Sequence, residues 1–68
     1  MSVVVRNPEI LGGEPVFAGT RVPVKTLTDY LEGSETIDAF LDDFPSVTRE
    51  QVIEFLEIAR EHVVAAAE

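Results

Sequence analysis

His62 is the one side chain here with the chemistry of a general base or imidazole ligand, and Glu61, Glu57 and Glu54 stand beside it or one and two turns before it. A metal site needs further ligands at a set spacing, and the chain has neither a second histidine nor a cysteine. Asp42 and Asp43 are adjacent, so on a helix they point about 100° apart, and no carboxylates follow at the offsets of a calcium loop. Gly12-Gly13 lacks the lysine and the following helix of a phosphate loop. No nucleophile is paired with a base. These residues predict no catalytic centre, no metal and no cofactor.

The charges offer binding chemistry instead. Thirteen acids face five Lys and Arg, for a net charge of −8. Over residues 1–31 the charges cancel: Arg6, Arg21 and Lys25 balance Glu9, Glu14 and Asp29. The whole excess therefore lies after residue 31. Four of those acids, Glu50, Glu54, Glu57 and Glu61, recur at i, i+4, i+7 and i+11, which lines one side of a helix. Such a stripe is either a solvated face or a surface that repels phosphate backbones and attracts a basic protein. Candidate DNA contacts reduce to Arg6, Arg21, Lys25 and Arg49, too few for one domain unless a dimer gathers them.

The elements that position these residues are readable from spacing. Residues 1–23 read as a strand and hairpin arm: Val3-Val4-Val5 is β-branched, Asn7-Pro8 and Gly12-Gly13 are turn material, and two short apolar pieces flank Gly19 between Pro15 and Pro23. Gly12, Gly13 and Gly19 are then structural turn residues. A first helix over 24–32 carries Val24, Leu27, Tyr30 and Leu31, with Gly33 placed for a left-handed end. A second over 35–44 opens at Ser34 and stops at Pro45. A third over 49–66 starts with the Thr48/Gln51 spacing of a capping box and the Val47/Val52 spacing of a hydrophobic staple. The expected fold is mainly α, a single three-helix domain over 1–68, helix-turn-helix-like (winged-helix or homeodomain-like), with a short N-terminal β-hairpin.

The last helix has more apolar surface than one core contact uses. Val52, Phe55, Leu56, Ala59 and Val63 form a core-facing stripe, while Ile53 and Val64, with Ile58, lie outside it. They are either covered by the N-terminal strands or open to another subunit or partner. Size favours a partner. Burial in a chain this small contributes on the order of 100 kcal/mol, and ordering 68 residues costs about the same. No disulfide offsets that near-zero balance, so a homo-oligomer or a bound partner is expected. No run approaches the roughly 18 apolar residues of a membrane span, and no secretory leader is visible, so a cytoplasmic, membrane-free protein is expected.

The run from Gly12 to Val24, Gly-Gly-Glu-Pro-Val-Phe-Ala-Gly-Thr-Arg-Val-Pro-Val, resembles the signature of the domain-of-unknown-function 433 family. The likeness continues through Leu31 to Ser34, Phe44-Pro45 and Thr48 to Val52, covering roughly residues 7–60. It implies a helix-turn-helix-like domain acting as the antitoxin of a toxin–antitoxin pair, with a PIN-like ribonuclease as the toxin. Glu14 and Ala18 stand where basic residues are common in the family, which weakens the DNA-binding implication and leaves the toxin-binding one intact.

An acidic stripe suits such a partner, because a ribonuclease holds RNA phosphates with basic residues that a row of carboxylates can occupy instead. Glu50, Glu54, Glu57 and Glu61, flanked by Ile53 and Val64, are the expected partner-binding residues. The alternative is a homodimeric helix-turn-helix transcriptional regulator. Only Arg49, Gln51 and Arg60 on the would-be reading helix suit base or phosphate contacts. Arg21 has two readings, an internal pair with Asp29 or Glu32, which is favoured, or a contact with a partner's carboxylates.

Overall fold

The computed structural model describes residues 2–68. Strand β1 (Val4–Val5) pairs antiparallel with β2 (Val16–Phe17), and helices α1 (Val24–Glu32), α2 (Ile37–Asp43) and α3 (Arg49–Ala66) follow. The domain is mainly helical with a small N-terminal sheet, as expected. Among the described residues no helix is long and apolar enough to cross a membrane.

The sheet adds a second partner to the Gly19 hairpin. Val4 faces Phe17 and Val5 faces Val16, while the chain returning after Gly19 adds only a single bridge between Val16 and Pro23. Two backbone hydrogen bonds flank that bridge, from the Phe17 N–H to the Val22 carbonyl at 3.0 Å and from the Val24 N–H to the Pro15 carbonyl at 3.1 Å, so the Gly19 hairpin forms as well. The Gly19 turn is further closed by Thr20, which is buried. Its hydroxyl donates to the Phe17 carbonyl at 2.8 Å and accepts from the Val22 N–H at 3.0 Å.

Aromatic rings unite the layers. All four phenylalanines and the single tyrosine form one connected set, with Phe17 of β2 against Phe40 of α2 (6.1 Å between centroids) and Phe55 of α3 (5.9 Å). Tyr30 of α1 meets Phe40 edge-on at 5.5 Å, and Phe44 closes on both. Leu27, Val47 and Val52 fill the spaces between them.

Two helix ends correct the sequence reading. The left-handed residue closing α1 is Ser34 (φ 67°), not Gly33 (φ −85°). Its N–H donates to the Leu31 carbonyl, and the Glu35 N–H donates to the Tyr30 carbonyl at 2.8 Å, which is a Schellman closure with serine in the usual glycine place. Ser34 therefore cannot cap α2, since an N-cap needs extended backbone. Thr36 does so, accepting from the Ala39 N–H at 3.0 Å, and α2 begins at Ile37.

The α3 start has the expected form. The Thr48 hydroxyl accepts from the Gln51 N–H at 3.1 Å, and the Gln51 side-chain oxygen accepts from the Thr48 N–H at 3.0 Å. Val47 and Val52 are both buried in the core, as a staple requires. The far end behaves otherwise. From Arg60 onward every residue is exposed, and Val63, assigned by periodicity to the core stripe, is 66% exposed. Helix α3 outruns the core that packs against it.

Candidate binding face on the last helix

The expected partner-binding residues all lie on the outer side of α3. Glu50, Glu54, Glu57 and Glu61 fall within an arc of about 60°, and each is exposed. Among the described residues none of the four has a cation within ion-pair distance. Ile53 (42% exposed) and Val64 (67% exposed) border the same stripe on one side. Ile58 lies on the opposite flank, where it lines an apolar groove with Val3, Val4, Phe55, Ala59 and Val63. The N-terminal strand thus approaches Ile58 and leaves Ile53 and Val64 uncovered.

The cations are divided. Lys25 is held by Asp29 at 2.8 Å, one turn along α1, and Arg49 pairs with Asp38 of α2. Asp29 raises the Lys25 pKa above its ordinary value, mainly through that hydrogen bond. Arg21 does not form the favoured internal pair. Asp29 is already engaged by Lys25, and among the described residues Arg21 has no carboxylate within 4.0 Å. It borders a shallow depression with Val5 and Asn7, the neighbours of Arg6. Arg6 and Arg21 are therefore the two uncommitted members of the candidate DNA-contact set.

Gly12, Gly13 and Gly19 have φ of 67°, 92° and 77°, with open space where a Cβ would stand. Backbone angle alone calls for glycine there. Leu11, beside them, has φ 51° and is exposed, a conformation that its sequence position did not announce.

Three structural contacts escaped the spacing rules. Gln51 uses its side-chain nitrogen to donate to the Ala18 carbonyl at 2.9 Å, so the residue that caps α3 also ties the helix to the Gly19 turn. Thr20 closes that turn from within. Tyr30 donates its hydroxyl to Asp43 at 2.6 Å, joining α1 to the end of α2, and the bond to that carboxylate raises the Tyr30 pKa. No local pattern could reveal contacts separated by 33 and 13 residues; only the capping-box half of Gln51 was visible.

Among the described residues no three His, Asp or Glu side chains are arranged to hold a metal ion. The model of the family described as protein of unknown function, DUF433, matches residues 4–59. The chain belongs to the DUF433 family. A relative from Sinorhizobium fredii (strain NBRC 101917 / NGR234), described as uncharacterized protein y4eO, is 36% identical over 50 residues, 74% of this chain. The chain spans 23% of that relative's length. No solved structure matches. The DUF433 match ends at Ala59, the last half-buried residue of α3, and leaves out the exposed end of that helix.

Proposed function

We propose that this DUF433 chain is a non-catalytic, antitoxin-like protein that binds and neutralises a PIN-like ribonuclease. The observation carrying this reading is the unpaired row of Glu50, Glu54, Glu57 and Glu61, fixed on a helix whose first turn is anchored at Thr48 and Gln51. Carboxylates presented on a preformed helix can engage cations that would otherwise hold RNA phosphates, and the preformed backbone lowers the ordering cost of doing so. The signature from Gly12 to Val24 adds the resemblance to antitoxins. Co-expression with the product of the neighbouring reading frame tests it. A stable complex with suppressed ribonuclease activity is expected; no binding, or binding that leaves the activity intact, refutes it.

A DNA-binding role is the second reading, favoured by Arg21 at the edge of a depression and by the lack, among the described residues, of a carboxylate within 4.0 Å of Arg21 or Arg6. Two cations are few for a duplex, so this reading requires the complex or a dimer. A gel shift on the chain's own promoter at low salt should appear only with the ribonuclease present. Absence of a shift in both conditions removes it.

A further inference from the structure

Ile53, Glu57, Arg60 and Val64 follow one another at i, i+4, i+7 and i+11 and share an arc of about 60° on α3. All four are exposed. Among the described residues Arg60 has no carboxylate within 4.0 Å, although glutamates surround it in sequence. The row reads apolar, acid, base, apolar with spacings of 4, 3 and 4. Reversing the helix leaves those spacings unchanged and exchanges acid for base. We propose that this row is the seam of an antiparallel, two-fold dimer in which α3 of one copy packs on α3 of a second copy of the same chain.

In that register Ile53 lies on Val64 of the partner, and Glu57 faces Arg60 of the partner. The two-fold axis repeats each contact, as a self-complementary interface requires. The 3-4 spacing is that of helices packing at a shallow angle. The pairing also places the unsupported end of one helix, from Arg60 onward, on the anchored start of the other, where Thr48 and Gln51 fix the first turn. Isolated helix ends of two turns are marginal in water.

Exposed area supports the same conclusion. The chain exposes 4876 Å², against roughly 4,200 Å² for a monomer of this mass. That excess approaches the roughly 800 Å² that each partner of a standard interface buries. Glu50, Glu54 and Glu61 stand about 50–90° round the helix from the seam, so they remain outside on both copies and available to a basic partner, whereas Glu57 is taken by the partner's Arg60. The proposal rests on this geometry and not on the antitoxin reading, and its test needs no ribonuclease.

The chain has no cysteine, which permits a direct test of register. Ile53→Cys and Val64→Cys chains are oxidised separately and as a mixture. Only the mixture should cross-link, because two copies of position 53 would lie about 16 Å apart along the axis, far beyond disulfide reach. Sedimentation should show a dimer whose Kd rises about tenfold or more with Ile53→Asp and is unchanged by Ile58→Asp. Glu57→Arg or Arg60→Glu alone should weaken it, and the two together should restore it, with helicity by circular dichroism checked for each. A chain that stays monomeric at about 1 mM, cross-linking between identical chains, or a dimer lost with Ile58→Asp but not Ile53→Asp overturns the proposal.

Discussion

Gln51 shows how much can depend on one atom. Its oxygen completes a capping box that glutamate would complete equally well, but its nitrogen holds the Ala18 carbonyl, which a carboxylate cannot do. Gln51→Glu should therefore keep α3 and still cost about 1–2 kcal/mol in urea unfolding. Ser34 is the opposite case, a residue less suited to its place than its neighbour would be. Ser34→Gly should stabilise by about 0.5–1 kcal/mol, the left-handed penalty less glycine's entropy, read as a higher unfolding midpoint. Lys25 and Tyr30 both bind their protons more tightly when folded, because Asp29 and Asp43 accept hydrogen bonds from them. Their stabilisation is therefore complete below the ordinary values of 10.5 and 10.0 and is lost as pH rises through the higher folded values. Unfolding midpoints should fall as pH rises past those ordinary values, and Tyr30→Phe with Asp29→Asn should flatten that fall.

At the scale of elements, the bounds of α1 and α3 were readable from the sequence because their signals are local. Val24 follows Pro23, and Thr48 and Gln51 bracket a helix start within four residues. The errors have a common physical cause. Gly33 was preferred over Ser34 on intrinsic backbone freedom, yet the Tyr30 and Leu31 carbonyls choose which residue turns. The Gly19 hairpin forms as read, with backbone bonds on both sides of Val16 and Pro23, but the pairing of β2 with β1 joins residues too far apart in sequence for a local pattern to show. Val63 has the period of the core stripe, but periodicity does not say where the core ends. The aromatic set is what the elements have in common, and Phe40 touches three of the other rings. Phe40→Ala should cost about 3–5 kcal/mol, comparable with the whole stability of a domain this small. Circular dichroism of that variant should show largely lost helix.

For the whole molecule, charge and shape lead to one conclusion. A radius of gyration of 12.4 Å exceeds the roughly 11 Å of a compact 68-residue domain, because α3 extends past its core carrying acids that nothing in the described chain neutralises. The acidic stripe was readable in the sequence, since it depends only on helical period; which cations stand free was not, since Asp29 and Asp38 reach them through the fold. The central claim is that this stripe blocks a basic ribonuclease surface. Titrating the chain into the protein encoded by the neighbouring reading frame, and following RNA cleavage, tests that claim most directly. Activity should fall to background at stoichiometric chain, and Glu50→Lys/Glu54→Lys/Glu61→Lys, folded by circular dichroism, should inhibit at least about tenfold more weakly. Equal inhibition by the parent and the charge-reversed chain, or none by either, would contradict it.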